Sequence, residues 1–273
     1  MRQRQEVQAL SRGLTLTDLP PERILDWEGC FNVRDLGGLP AADGSRLKWG
    51  ALVRSDIPTR LTQAGREALV AHGITSIVDV RFAEELAEDD DRYPFLDATD
   101  GAPRRHHVPF HFSADDGPDA ARHAAYAAAE TRADLIRLDL DLNQSGITAA
   151  AAAIVDAQPG GVMVHCHAGK DRTGIIVGVI LAFLGVPDDE IADDYALTQR
   201  TFAPLVEEWL DSETDDAAER ERLVALAWPS REAMLSALEH LRARYRSAAD
   251  YLRDGGMTDE QLDRLRSRLL EET

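Results

Sequence analysis

Residues 162–184 read VMVHCHAGKDRTGIIVGVILAFL, and the fold follows from how this stretch divides. Val162 to His165, introduced by Pro159-Gly160-Gly161, has the composition of a short buried strand. Ile175 to Leu184 is nearly all apolar, and a helix that is apolar all round is a buried one. Between them lies a polar loop, Cys166 to Gly174, in which five residues separate Cys166 from Arg172. Such a loop can curl so that successive backbone N–H groups point inward, which makes an anion nest at a helix N-terminus. Gly169 permits the dihedrals that the curl needs.

Outward from this segment, other elements fall into an alternating order. Residues 118–142 and Ile147 to Ala157 read as helical, Ile74 to Arg81 as a buried parallel strand, and His106 to Phe110 as a further short strand. The stretch LTQAGREALVAHG reads as a helix ended by Gly73, and Pro40 to Ser45 has turn chemistry between extended stretches, as in a hairpin or small meander. Glu84 to Gly101 predicts a short helix and a loop. After Pro187-Asp-Asp-Glu190 the pattern is helical to the end, including Arg231 to Tyr245 and Asp259 to Leu270. The expectation is an α/β fold with a central, mostly parallel sheet flanked by helices, its extra C-terminal helices being candidates for a lid. Residues 1–25 read as a polar lead-in and 26–273 as one domain.

Composition narrows the chemistry. The 273 residues include 30 basic and 49 acidic side chains, a formal charge of −19. A surface of that sign repels nucleic acid and anionic membranes, so an anionic substrate needs a local positive site. Two cysteines, Cys30 and Cys166, cannot carry a disulfide framework, which favours a reducing, cytoplasmic setting. The N-terminus has no apolar core of signal-peptide type, and export without a recognisable signal stays open. The longest apolar run, Gly174 to Val186, is too short to span a bilayer, so no stable membrane insertion is expected.

The loop brings together the parts of a nucleophilic phosphate site. Arg172 offers a planar donor fork that matches two phosphate oxygens, and the positive surroundings favour a Cys166 thiolate. A thiolate in a phosphate nest can attack phosphorus and form a phosphocysteine. Thr173 can donate its hydroxyl to the sulfur as it leaves, and His165 fixes the loop by hydrogen bonding without acting as the base. His167, Ala168, Gly169, Lys170 and Thr173 are the expected substrate-binding positions. No metal or cofactor is called for.

The string HCHAGKDRTG fits HCxxGxxRTG and resembles the signature of the cysteine-dependent protein tyrosine phosphatase superfamily, in particular a bacterial branch. Asn32-Val-Arg-Asp-Leu-Gly37, Arg54-Ser-Asp56, Gly73 to Arg81 and Tyr251-Leu-Arg-Asp-Gly255 agree with that branch in the same order, so the resemblance covers roughly 27–270. It implies hydrolysis of phosphotyrosine and, for the branch, also of phosphoserine, phosphothreonine or phosphoinositides. The partners would then be phosphorylated proteins or phosphoinositides. Lys170, a departure from ordinary tyrosine phosphatases, is either a second cation for multiply phosphorylated head groups or a lysine that stabilises the thiolate or pairs with Asp171.

A leaving alkoxide or phenoxide needs a proton donor. Asp171 is the position the resemblance offers; Asp79, and Asp115 or Asp116, compete with it. Arg34 and Asp35 either brace the loop or form a hairpin pair, and the Trp209 to Trp228 region is a lid or an ordinary helical cap. Glu88 to Arg92 and the histidines 106, 107 and 111 lack metal-ligand spacing and read as solvated loop and strand-edge residues. Two rival functions remain: a phosphate-recognition module that binds without turnover, and a redox enzyme in which Cys30 would resolve Cys166.

Overall fold

The computed structural model describes residues 20–89, 102–110, 120–213 and 216–272. Its sheet comprises β1 (Arg34–Asp35), β2 (Leu52–Ser55), β3 (Ile74–Asp79), β4 (Arg104–His107) and β5 (Gly161–His165), in the order β1-β2-β5-β3-β4. Only β1 runs antiparallel to its neighbour; β2, β5, β3 and β4 are parallel. The strand of the deciding stretch is therefore the central one, and its C-terminal end opens beside those of β2 and β3. Open parallel sheets bind ligands at that edge.

Alternation along the strands builds a core on each face. Leu52, Val78, Val162 and Val164 join the larger cluster, while Val53, Ile77 and Met163 join a smaller one with Trp27, Leu61 and Leu69. Successive strand residues point to opposite faces, so a strand covered on both sides is apolar along its middle, as Val162, Met163 and Val164 of β5 are. The helix Asp171–Leu184 lies in the larger cluster and buries Ile175, Ile176, Val177, Val179 and Ile180. It begins at Asp171, four residues before the all-apolar run, which places Arg172 and Thr173 on its first turn.

Elsewhere the boundaries move for local reasons. The edge strand β4 is Arg104–His107, starting two residues and ending three residues earlier than His106 to Phe110, since Pro109 has no N–H for a ladder. The helical region 118–142 splits into Ala120–Ala127 and Arg132–Leu142, because Thr131 and Asp134 form a capping box that starts a new helix. The Pro40 turn closes a hairpin bridge between Pro40 and Arg46. Helices Gln144–Asp156, Asp188–Glu213, Ala217–Ala227, Arg231–Tyr245 and Asp259–Leu269 follow the helical reading. Of the expected lead-in, residues 1–19 lie outside the described residues, whereas Arg23 is 4% exposed and bound to Asp194, so packed chain begins before residue 26. No helix among the described residues is long and apolar enough to cross a membrane.

Candidate active site

Cys166 follows β5 directly, and its side chain is buried at the mouth of the sheet. Burial by itself raises a thiol's pKa, yet here the Arg172 guanidinium, the Thr173 hydroxyl and the N–H groups of Thr173 and Gly169 outweigh it and bring the thiol below its ordinary value. Among the described residues Thr173 Oγ1 is buried with no other hydrogen-bond partner, which leaves its proton for the sulfur.

The loop curls because its carbonyls are drawn outward. Asn32 Nδ2 donates to Ala168 O and Gly169 O at 3.1 and 3.0 Å, Arg54 Nη2 donates to Gly169 O at 2.7 Å, and Ile57 N–H donates to His167 O at 2.9 Å. Gly169 has φ +63°, and a Cβ there would stand 2.4 Å from Ser55 O. Only glycine meets both demands. His165 Nδ1 donates to Cys166 O at 2.9 Å, so this histidine holds the loop as read.

Arg172 is gripped from behind. Glu85, on the helix Ala83–Asp89, accepts from Nη1 and, at 2.9 Å, from Nη2, and the Phe82 ring stacks 4.5 Å from the guanidinium. Burial would lower the arginine's pKa, but Glu85 and the Cys166 thiolate more than offset it and keep the fork charged. The arrangement is a cysteine sulfur whose pKa is lowered, an oriented guanidinium and inward N–H groups around one point at a helix N-terminus, which suits capture of a tetrahedral dianion.

The model of the tyrosine phosphatase family matches residues 25–271 of this sequence. The chain belongs to the tyrosine phosphatase family. Among its relatives, the triple specificity protein phosphatase PtpB of Mycobacterium tuberculosis is 28% identical over 90% of this chain and 99% of its own. A tyrosine-protein phosphatase of Nostoc commune is 27% identical over 84% of this chain and 78% of its own. A third, a Cupriavidus necator protein named as a tyrosine-protein phosphatase, is 30% identical over 63% of this chain and 61% of its own.

In this tyrosine phosphatase, the other residues singled out by sequence have distinct places. Lys170 caps the first turn of Asp171–Leu184, and its Nζ donates to Ala227 O at 2.8 Å and lies 3.5 Å from Asp171 Oδ2. Burial first and then Arg132 depress the lysine to about 7, against the pull of Cys166. Asp171 is partly exposed, ion-paired with Arg132 Nη2, and 3.5 Å from the Tyr195 hydroxyl. Asp79 is fully buried: its carboxylate takes Arg81 Nη2 at 2.8 Å and Nε at 3.0 Å, with His165 Nε2 at 3.7 Å. Although burial works the other way, His165 and Arg81 hold this acid down to about 2. His167 is exposed at the rim.

Arg34 and Asp35 do not pair with each other: Arg34 binds Asn32 and Asp194, while Asp35 accepts from Gly37, Gly50 and His72. Cys30 packs with the smaller core, donates to Ile57 O at 3.6 Å, and is kept protonated by burial. The C-terminal end of Ala217–Ala227, in the region read as lid or cap, meets the loop through Lys170 and the helix Arg132–Leu142 through Arg132 Nη1 on Leu226 O at 3.0 Å. The side chains of Glu88 to Arg92, His111, Asp115, Asp116 and Trp209 lie outside the described residues. Among the described residues, no group of three His, Cys, Asp or Glu side chains is placed to hold a metal ion.

Sequence reasoning missed Glu85, Arg132, Asn32, Arg54 and Asp194. Glu85 is one acid in an acidic run, EELAEDDD, and nothing local separates it from its neighbours. Asn32 and Arg54 stood inside quoted motifs with no role attached, and Asp194 and Arg132 had no signal beyond charge.

Proposed function

We propose that this phosphatase hydrolyses phosphotyrosine, and also phosphoserine, phosphothreonine and phosphoinositide monoesters, through a phosphocysteine. The observation that carries the reading is the buried Cys166 sulfur, held towards the thiolate by Arg172, Thr173 and Gly169 N–H. The thiolate attacks phosphorus, the bond to the leaving oxygen breaks, and Asp171 supplies the proton that oxygen takes up. A water then attacks phosphorus, Asp171 accepts its proton, and the Thr173 hydroxyl donates to the departing sulfur. Phosphate is released and the thiolate restored. A module that only binds phosphate has no use for an ionised sulfur, which disfavours that rival. Cys30, buried and protonated, is a poor resolving thiol. The chemistry also requires Cys166 to stay reduced, which fits a cytoplasmic setting.

The test is hydrolysis of phosphotyrosine peptide, phosphoserine peptide and phosphoinositide in parallel, without added metal. Turnover of phosphotyrosine alone would remove the broader part of the reading, and no turnover of any of them would remove the whole.

Asp171 rather than Asp79 is the proton donor in this reading. Asp171 is partly exposed at the loop, whereas Asp79 is sealed against Arg81 and ionised down to about pH 2. Asp171→Asn should therefore cut kcat by about 10²–10⁴-fold for an alkyl phosphate, whose leaving group needs a proton, and much less for a nitrophenyl phosphate. Equal losses on both esters would reassign the role of Asp171.

Lys170 supports the wider substrate range as a second cation of the loop, as does a relative named for triple specificity. Near pH 8 it is mostly neutral in the free protein, because burial depresses it to about 7. An arriving dianion favours the ammonium, so binding should take up a proton. In Cys166→Ser, where no thiol can titrate, calorimetry of sulfate binding at pH 8 in buffers of different ionisation enthalpy should show uptake of about half a proton or more. Lys170→Met should abolish it; uptake unchanged in that variant would place the titration elsewhere.

A further inference from the structure

We propose that Asn32 and Arg54 are positioning residues for phosphoryl transfer: they turn the Ala168 and Gly169 carbonyls away from the phosphate site, and a buried arginine cluster on Asp194 sets their orientation. The proposal rests on the reading of Cys166 as nucleophile and specifies what keeps its loop in the attacking geometry.

The orientation passes along a chain of contacts. Asp194, 1% exposed on the helix Asp188–Glu213, accepts from Arg23 Nη2 and Arg34 Nε through Oδ1, at 3.0 and 3.1 Å, and from Arg54 Nη1 through Oδ2 at 2.6 Å. Arg34 also donates to Asp194 O and, through Nη1, to Asn32 Oδ1. Thr201 Oγ1 lies 3.3 Å from the same Asn32 oxygen and shares its one proton between it and Thr198 O at 3.1 Å. With the Arg34 guanidinium donating to Oδ1, the amide can face only one way, and Nδ2 meets Ala168 O and Gly169 O. Arg54 Nη2 meets Gly169 O as well. Once the Ala168 carbonyl is held outward, the N–H across the same peptide plane, that of Gly169, faces the Cys166 sulfur.

This cluster is costly as a mere brace. Three buried arginines share the one carboxylate of Asp194. The nearby acids are engaged elsewhere: Asp56 takes the N–H groups of Phe31 and Asn32, and Asp35 takes those of Gly37 and Gly50 together with His72. Burial, with Arg54 and Arg23 adding to it, depresses Arg34 to about 10 despite Asp194. Among the described residues Arg54 Nε is buried with no hydrogen-bond partner, so that guanidinium sits where the loop needs it, at the expense of its own donors. Violations of local energetic rules concentrate at functional sites.

Two variants that leave the charge unchanged test the idea in the full chain. Arg54→Lys keeps the cation but loses the fork that spans Asp194 and Gly169; Asn32→Ala removes the donors to both carbonyls. The charges facing the sulfur, Arg172 and Lys170, and those behind them, Glu85 and Asp79, are untouched in both. The readouts are the pH dependence of Cys166 alkylation by iodoacetamide and competitive inhibition by inorganic phosphate. The expected result is a thiol midpoint raised by about half a pH unit to one unit, with inhibition weakened about tenfold. Folded variants with wild-type alkylation profile and inhibition, and only a lower Tm, would overturn the proposal and leave a brace for the fold. If one variant does not fold, the other decides; failure of both to fold would equally assign these residues to stability. Alkylation requires no turnover, so a wrong catalytic reading and a wrong positioning reading give different results.

Discussion

Cys166→Ser is expected to lower hydrolysis of an aryl phosphate by on the order of 10⁴–10⁶-fold while leaving phosphate binding intact. The sulfur is the atom that the site is built around: Arg172, the Thr173 hydroxyl and two backbone N–H groups all act on its ionisation. A serine hydroxyl is nearly the same shape but stays protonated at any pH the fold survives, so the donors remain and the nucleophile does not. Cys166 is 2% exposed, and an oxygen in that nest keeps hydrogen-bond partners, so the variant should fold. Steady-state turnover and inhibition by inorganic phosphate, measured on one preparation, check both halves. Activity within tenfold of wild type would mean that another group attacks phosphorus. Lost binding would mean that the site had collapsed, and Cys166→Ala would then be the fairer comparison.

Arg172→Met should lower kcat/KM by on the order of 10³-fold or more, and it should also move the rising limb of the pH profile to higher pH. Two effects combine. The fork that stabilises the equatorial phosphoryl oxygens is gone, and one such donor alone is worth about 10²–10³-fold. The thiol also changes. In the wild type burial raises its pKa, and Arg172 is the largest influence opposing that. A thiol below its ordinary value ionises at lower pH than a free one; without Arg172 the largest influence opposing burial is gone, so ionisation requires higher pH. Glu85 then loses its bidentate partner and adds a carboxylate near the sulfur, which acts in the same direction. The check is kcat/KM across pH for both proteins. A loss in height with no movement of the limb would show that Arg172 binds oxygens without governing the nucleophile.

Asn32, Arg54 and Glu85 show where reading a linear chain stops. The nest was legible because everything that makes it a nest is contiguous: a strand apolar on both faces, a glycine at the turn, and a helix start bearing Arg172 and Thr173. Backbone geometry and short-range sterics settle such a segment within a few residues. The α/β order was legible for a similar reason, since periodicity and turn residues are local. Boundaries slipped where a single local device intervened, as at the Thr131 capping box and Pro109.

What the sequence by itself determined, then, is a central parallel strand feeding a cysteine loop and a buried helix, with the chemistry that those ten residues allow. Only the tertiary structure decided which distant charges complete it. Glu85 reaches Arg172 across 87 positions, Arg54 reaches Gly169 across 115, and Asn32 reaches Ala168 across 136. A charged side chain carries no periodicity that names its partner, and among 49 acids any of them could have been Glu85 or Asp194. The choice is made when the sheet assembles as β1-β2-β5-β3-β4 and brings the ends of β2, β3 and β5 to one edge. There, buried charges must find one another, because in a low-dielectric interior an unpaired one is too costly to keep.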